Sequence, residues 1–539
     1  MSASELAPIR EPGVPARVEI YDTTLRDGAQ LEGISLTVDD KLRIAEQLDW
    51  LGVHYVEAGW PGANPKDDEF FRRAPAELKL STATLVAFGS TRRPRGKAEG
   101  DETLRHLLIA GTSAVCIVAK AWDRHVAEAL RTDLDEAVAM AYDSVEFLRH
   151  AGLRVFFDAE HAFDGYKANP EFTMRVLHAA EEAGAETLVL CDTNGGTLPH
   201  EVEEIVSAVR GQVSAQVGLH FHNDGGCGVA NTLTGVRAGA TQVQGCINGY
   251  GERTGNADLC AAIPDLTLKM GVRTIERERL GRLTPVAHHI AELVNVAPNP
   301  QQPYVGQSAF ATKAGLHTSA IARGHDLYQH APPEAVGNGS RVMVSELSGR
   351  STVALKAEEL GLDLDAAALA DVLEKLKDLE HQGYHFEVAD GSLELLMRTA
   401  GGWEQSFFRL ESFRVITELR DDGAFVTEAT IKVHVGDRRI VATAEGNGPV
   451  NALDAALRQA IGQAHPALRG LHLTDYKVRV LDTGAGTAAV TRVLIDSTNG
   501  ETVWSTIGVS ENIIQASWEA LADSIVYGLL HTERGTRGT

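Results

Sequence analysis

Short apolar, β-branched runs recur along the first half of the chain and alternate with segments of helical spacing. Strand–helix alternation over short connections is typical of parallel sheets. Eight such units predict a closed (β/α)8 (TIM) barrel, with an open doubly wound sheet as the alternative. The predicted strands are Val18–Thr23, His54–Ala58, Thr84–Phe88, Ala114–Val118, Arg154–Ala159, Thr187–Cys191, Gln216–His222 and Thr241–Ile247.

The segments between these strands carry apolar stripes of helical period. The stripe over residues 42–51 is one example, and Thr37 or Asp39 is its predicted cap. Several of these helices are predicted to end at a glycine, because glycine readily adopts the left-handed backbone conformation that ends a helix. These glycines are Gly52, Gly111, Gly152, Gly184 and Gly239.

The second half of the chain has a different pattern. Residues 286–404 are mostly helical, and Ala367–Leu379 is strongly periodic. From Phe407 to Tyr527 the pattern becomes β-rich, and a β-β-α unit is repeated. We therefore predict an α/β barrel followed by a helical subdomain and a C-terminal α+β domain, with a disordered lead-in over 1–16, the barrel over 17–285, the helical subdomain over 286–404 and the α+β domain over 405–530.

Composition excludes several classes of protein. The 539 residues include no apolar run of membrane-spanning length. The net charge of −24 disfavours binding to nucleic acid or to an anionic membrane. Five scattered cysteines without a CxxC pair, and an N-terminus without an apolar signal segment, predict a cytoplasmic protein.

Polar side chains follow the predicted strands, where barrel enzymes carry their chemistry. His220 and His222 occupy alternate positions of one strand, so both point towards the barrel axis. With a carboxylate from another strand end they would form a two-histidine, one-carboxylate metal site. Asp27 is a better candidate than Asp22, because it follows the strand end. The alternative is a structural histidine pair without metal.

Three motifs resemble the metal-dependent Claisen-condensing synthases, namely the 2-isopropylmalate, homocitrate and citramalate synthases, which share a superfamily with 3-hydroxy-3-methylglutaryl-CoA lyase. These motifs are Asp22-Thr-Thr-Leu-Arg-Asp-Gly-Ala-Gln30, His220-Phe-His-Asn-Asp224 and Gly249-Tyr-Gly-Glu-Arg-Thr-Gly-Asn-Ala257. The resemblance covers nearly the whole chain. Within the family, residues 57–67 and 157–166 look like the bacterial citramalate synthase branch.

The resemblance implies a role for each matching residue. Arg26 would hold the oxygens of an α-ketoacid and the thioester, Thr193 would contact the substrate carboxylate, and Glu160 would lie against the substrate. A divalent ion, which could be magnesium, manganese or zinc, would be bound by Asp27, His220, His222 and Asn256.

A later segment resembles the part of the family that brings a histidine to the barrel mouth. Ser308–His317 matches that segment, and Tyr328 resembles the partner tyrosine of the histidine. His317, tuned by Glu160 and Tyr328, is therefore the predicted acid/base group. Polar packing between domains is the alternative explanation of the pair. Lys313-Ala314 departs from the His-Ser or Lys-Ser of many relatives, which affects the detail of this segment.

The resemblance also implies the reaction. The citramalate branch would condense acetyl-CoA, as co-substrate, with pyruvate and then hydrolyse the thioester, on the route to isoleucine. A 2-isopropylmalate-type synthase using 2-oxoisovalerate and an aldolase-type acyl-CoA lyase remain alternatives. Because the chain is acidic overall, it would repel the phosphates of CoA unless a local basic site binds them. Arg92 and Arg93, after the third strand, are candidates for this site. A solvated charged loop would explain them equally well.

The C-terminal domain resembles the allosteric domain of 2-isopropylmalate synthases. This implies an amino-acid feedback effector, isoleucine on this route, and a homodimer. The loop Gly484-Ala-Gly486 is a candidate contact for the effector. A domain that only dimerises is the alternative.

Overall fold

The computed structural model describes residues 10–312, 329–339, 341–342, 350–386, 389–481 and 489–536. They form two compact units. The first unit contains the described residues up to Phe310 and residues 329–339, and the second contains the remainder. Part of the predicted lead-in is described: Val14 is buried, and the Ala16 carbonyl accepts a hydrogen bond from the backbone N–H of Arg273.

A closed barrel of eight parallel strands forms the first unit. Each strand pairs with the next along the chain, and β8 closes the barrel on β1 through the register Glu19↔Gln242 to Asp22↔Gly245. The predicted barrel is confirmed, and the open sheet is excluded. The strands are β1 Glu19–Asp22, β2 Tyr55–Glu57, β3 Thr84–Ser90, β4 Ala114–Lys120, β5 Arg154–Glu160, β6 Thr187–Asp192, β7 Gln216–Phe221 and β8 Gln242–Gly245.

Helices surround the barrel, and the local sequence sets their ends. Thr37 caps the first helix in a capping box with Asp40. The five glycines predicted to stop helices all have positive φ. The helices of this unit are Val38–Leu51, Pro65–Glu77, Glu102–Ile109, Asp123–His125 with the π-helical turn Val126–Leu130, Leu134–His150, Ala162–Ala168, Pro170–Glu182, Pro199–Arg210, Gly228–Arg237, Leu259–Pro264 and Leu283–Leu293.

The barrel interior is filled by aromatic side chains. Phe156 packs edge-on against Tyr21 and Tyr55, with ring centroids 5.5 and 4.8 Å away. Tyr21 and Phe156 are fully buried, and Phe88 belongs to the same cluster. This cluster makes the barrel interior a packed core and not a pore.

The second unit contains helices and two antiparallel sheets. Within the described parts of the chain, no helix is long and apolar enough to cross a membrane. The elements are the parallel pair β9 Ala311–Thr312 and β10 Arg341–Val342, the helices Arg350–Glu359, Ala366–His381 and Asp390–Ala400, the sheet of β11 Arg409–Leu419, β12 Phe425–Val435 and β13 Arg438–Gly446, the helix Pro449–Ile461, the sheet of β14 His472–Val480, β15 Thr491–Thr498 and β16 Val503–Ser510, and the helix Ile513–Thr536.

The predicted β-β-α repeat is confirmed, and each copy has one more strand at its start. The strands β12–β13 and β15–β16, each followed by a helix, are the repeat that the sequence shows. β11 and β14 precede them and pair at the edge of each sheet. Their side chains are mostly exposed, so they lack the alternation of more and less buried positions that marks β12 and β15.

Leu457 allows a test of the core of the second unit. It is fully buried in the cluster that joins the helix Pro449–Ile461 to β12 and β13. We expect Leu457→Ala to lower the free energy of unfolding of this unit by about 2–5 kcal/mol, because it leaves a cavity. Val441→Ala, at a position 51% exposed, is the matched control and should cost less than about 1 kcal/mol. Urea denaturation followed by circular dichroism measures both.

Candidate active site

A cavity of about 430 Å³ opens at the carboxyl ends of the barrel strands. Most of the predicted site residues line it, although they come from distant parts of the sequence. They are Arg26, Asp27, Arg92, Arg93, Glu160, Thr193, His220 and His222. Asn256 is paired by backbone with His222 beside the cavity. His317, Tyr328 and the Gly484–Gly486 loop lie outside the described residues.

One carboxylate and two imidazoles meet in this cavity. Oδ2 of Asp27 lies 3.4 Å from Nε2 of His220 and 4.0 Å from Nε2 of His222. The two Nε2 atoms are 3.3 Å apart. All three ligand atoms lie within 4.8 Å of one another, and the three residues are buried. These three residues, which the sequence predicts as ligands, form a candidate site for a divalent metal ion.

The hydrogen bonds around these residues fit a cation. Oδ1 of Asp27 and Oδ1 of Asn256 are buried, and neither has a hydrogen-bond partner among the described atoms. A buried oxygen without a partner is costly unless an ion or water binds it. The Gln244 side-chain oxygen accepts a hydrogen bond from Nδ1 of His220 at 2.8 Å, which leaves the Nε2 lone pair of His220 directed towards Asp27.

The charge of Asp27 suits a metal ligand. Burial by itself raises the pKa of this carboxyl, but the Arg26 guanidinium, together with the neighbouring His220, outweighs burial and holds the pKa well below its ordinary value. The ionised form of Asp27 is therefore favoured at neutral pH, where it offers a negative charge to a cation.

Tight backbone turns place Asn256. A Cβ at Gly255 would lie 2.0 Å from the Gly249 carbonyl oxygen, and a Cβ at Gly251 would lie 2.7 Å from Oδ1 of Asn256. Both glycines also have positive φ. The motif over residues 249–257 therefore needs its glycines so that the Asn256 amide can reach the site.

Arg26 is held rigidly at the cavity wall. Its Nε donates to Glu57 at 2.6 Å, and its Nη1 donates to Asp27 at 3.0 Å. The guanidinium lies 3.9 Å from the centroid of the Phe88 ring. Glu57 is fully buried and also accepts a hydrogen bond from the Tyr21 hydroxyl at 2.6 Å. Neighbouring strands thus fix the cation in one position.

The structure adds a residue that we did not predict. Lys120, the last residue of β4, forms an ion pair with Glu160, the last residue of β5, and both line the cavity. The sequence contained a signal for Lys120, because it is a polar residue at the end of a strand, as the predicted site residues are. Their partnership depends on the lateral pairing Lys120↔Glu160 of two strands.

A buried acid lies on the same side of the barrel. Asp158 lines the cavity and accepts a hydrogen bond from Nε2 of Gln244 at 3.1 Å. Burial, followed by the charge of Glu57, raises the pKa of Asp158 to about 6. Gln244 therefore connects Asp158 to His220, in a layer of polar groups behind the candidate metal ligands.

Arg92 and Arg93 differ in their surroundings. The Arg92 side chain is buried and forms ion pairs with Glu136 at 2.7 Å and Asp143 at 2.8 Å. Arg93 is exposed, and its side chain forms no ion pair within the described part of the chain. Arg92 therefore anchors the loop after β3, and Arg93 carries the charge that an anionic ligand could reach.

Three family models match successive parts of the chain. An HMGL-like model matches residues 17–281, a model described as the homocitrate synthase post-HMGL domain matches 304–384, and the LeuA allosteric (dimerisation) domain matches 387–529. The chain is 53% identical to an (R)-citramalate synthase of Streptomyces coelicolor, over 95% of this chain and 96% of the relative. The chain belongs to the (R)-citramalate synthase family. It is accordingly an acyltransferase-type condensing enzyme.

A second citramalate synthase, from Aquifex aeolicus, is 50% identical over 96% of this chain and 98% of the relative. Among solved structures, the HMG-CoA lyase of Bacillus subtilis matches with a TM-score of 0.46 and 23% identity, over 54% of this chain and 97% of the lyase. The predicted resemblance to the citramalate branch of the family is confirmed by the two full-length relatives.

Proposed function

We propose that this chain condenses acetyl-CoA with pyruvate and hydrolyses the resulting thioester to (R)-citramalate, a step on the route to isoleucine. The observation that carries this proposal is the meeting of Asp27, His220 and His222 beside Arg26 in one cavity, in a chain about half identical to named (R)-citramalate synthases. A cation bound by one carboxylate and two imidazoles would keep open coordination positions. An α-ketoacid suits these positions, because it can offer two oxygens to the cation.

Each residue of the cavity has a proposed task. A divalent ion held by Asp27, His220, His222 and Asn256 would supply a Lewis acid that polarises the ketone. Arg26 holds a positive charge where the ketone and thioester oxygens become negative, and Glu57 and Phe88 prevent it from moving away. Thr193 contacts the carboxylate of the ketoacid.

The proton transfers need a further group. The methyl group of a thioester is a weak acid, so a base must take its proton while the enolate forms. We assign this task to His317 with Tyr328, and Glu160 faces the substrate from the cavity wall. The ion pair with Lys120 fixes the position of Glu160. Hydrolysis of the thioester then makes the sequence of steps irreversible.

One assay separates the enzyme alternatives. The purified protein is incubated with acetyl-CoA, a divalent metal and one ketoacid at a time, and release of the CoA thiol is followed. We expect the highest kcat/KM with pyruvate. A preference for 2-oxoisovalerate would instead indicate a 2-isopropylmalate synthase, and cleavage of an acyl-CoA without condensation would indicate a lyase. Repeating the assay with magnesium, manganese and zinc identifies the metal that supports turnover.

Arg93 is the proposed contact for the CoA phosphates, and Arg92 supports it through the loop that both share. We expect Arg93→Glu to raise the KM for acetyl-CoA by about tenfold, because it replaces an attraction to phosphate by a repulsion. The KM for pyruvate should change much less. Arg72→Glu, at a side chain 73% exposed on the outer helix, is the matched control. Equal effects on both substrates would contradict the assignment.

The C-terminal domain suggests how the activity is regulated. Its match to the LeuA allosteric (dimerisation) domain supports a homodimer that binds an amino acid. We propose isoleucine as the effector, since it is the product of the route. Inhibition by isoleucine, and not by leucine or threonine, would support this choice. We propose the cytoplasm as the compartment, in agreement with five unpaired cysteines.

A further inference from the structure

His161 has a backbone conformation that few residues adopt. It follows β5 directly, and its φ of 54° and ψ of 36° place it in the left-handed region. Residues other than glycine are uncommon there, and asparagine, aspartate and histidine are the ones most often found. In this conformation the backbone N–H of His161 points across to the end of β6, where it donates to Oγ1 of Thr193 at 3.0 Å.

The surroundings of the His161 side chain stabilise this turn. Its Nδ1 lies 2.9 Å from Oδ2 of Asp164, and the same oxygen accepts a hydrogen bond from Asn194 at 2.9 Å. The imidazole also packs between rings, with centroids 4.4 Å from His125 and 5.6 Å from Trp122. The turn after β5 is thereby tied to the loops after β4 and β6, so the strained conformation persists.

The hydrogen bond from His161 determines where the Thr193 hydroxyl can donate its proton. Oγ1 accepts from His161, and the Thr193 side chain forms no other hydrogen bond with a described residue. The hydroxyl proton is therefore available to an acceptor in the cavity that Thr193 lines. The Thr193 carbonyl is separately held by Arg253 at 2.8 Å, which fixes the backbone. His161 itself does not line the cavity.

We infer that His161 is a positioning residue for the α-ketoacid: its left-handed backbone directs the Thr193 hydroxyl proton at the substrate carboxylate. This inference rests on the proposed function, because it takes Thr193 as the carboxylate contact. The essential group is the backbone N–H, and the imidazole acts only by holding the turn. Residues at position 161 should therefore be ranked by their tolerance of positive φ, and not by their similarity to histidine.

A pair of variants tests this ranking. His161→Gly removes the imidazole but accepts the left-handed conformation, so we expect the KM for pyruvate to stay within about threefold of wild type. His161→Val disfavours that conformation and should raise the KM for pyruvate by about tenfold or more, with the KM for acetyl-CoA nearly unchanged. His161→Ala is the milder substitute if the valine variant does not fold, and it should lie between the two.

Two controls separate positioning from general damage. Asn295 has a similar φ of 57° at the end of an outer helix, so Asn295→Val introduces comparable strain away from the cavity and should leave the KM for pyruvate unchanged. In a Thr193→Ala background, His161→Val should have less than about a twofold further effect on the KM for pyruvate, because the two residues act through one hydrogen bond.

The inference is overturned if His161→Gly and His161→Val raise the KM for pyruvate equally, or if neither variant raises it. It is also overturned if His161→Val raises the KM for both substrates alike. Full effects of His161→Val in the Thr193→Ala background would also overturn it. A wild-type protein that does not turn over pyruvate would instead refute the proposed function, and this result is recognised before any variant is made.

Discussion

Asp27→Asn should abolish metal binding and lower kcat with pyruvate by about a thousandfold. A Lewis acid lowers the activation barrier by several kcal/mol, and each loss of about 1.4 kcal/mol slows the reaction tenfold. The amide keeps the shape of the side chain and removes its charge. It also leaves Arg26 and His220 without the negative partner that lies 3.0 and 3.4 Å away. Manganese binding measured by calorimetry and thiol release measured in steady state test both expectations.

Asp135→Asn is the control for this variant. Asp135 belongs to the same unit, but its side chain is 86% exposed and pairs with Arg175 at the surface. Manganese affinity and kcat should be those of the wild type. If Asp27→Asn bound manganese as tightly as the wild type and turned over at the same rate, the three residues would not be the metal site.

The second large effect is expected for Arg26→Gln. We expect kcat to fall by about 100-fold to 1000-fold, the usual result of removing one group that stabilises a developing negative oxygen. The free energy of unfolding should also fall by about 3 kcal/mol, because the fully buried Glu57 carboxylate loses its cation. Steady-state kinetics and urea denaturation measure the two effects separately.

The double variant Arg26→Gln, Glu57→Gln separates catalysis from stability. Removing the Glu57 charge should restore part of the lost free energy of unfolding, because Glu57 is then no longer a buried carboxylate without its cation. The kcat should stay as low as in Arg26→Gln. Recovery of activity together with stability would mean that Arg26 supports the fold and does not act on the substrate. Arg72→Gln, at an exposed position, should leave both quantities unchanged.

The barrel could be predicted because its information is local. Each strand and helix carries its own hydrophobic period, and the glycine that ends a helix needs only its own conformation, as at Gly52 and Gly239. The candidate ligands His220 and His222 were also visible, since alternate residues of a strand face the same side. The first strand of each C-terminal repeat, β11 or β14, was missed, because its exposed side chains leave no periodic signal.

The sequence by itself determined the fold class and the family and predicted the candidate ligand set, because local periodicity and motifs of adjacent residues carry them. Only the tertiary structure decided which groups become partners. The pairing of Lys120 with Glu160, the neutralisation of Arg92 by Glu136 and Asp143, and the bond from His161 to Thr193 each join different strands or loops. Such contacts follow from the packing of successive strands, loops and helices side by side, which leaves no trace in the spacing of residues along the chain.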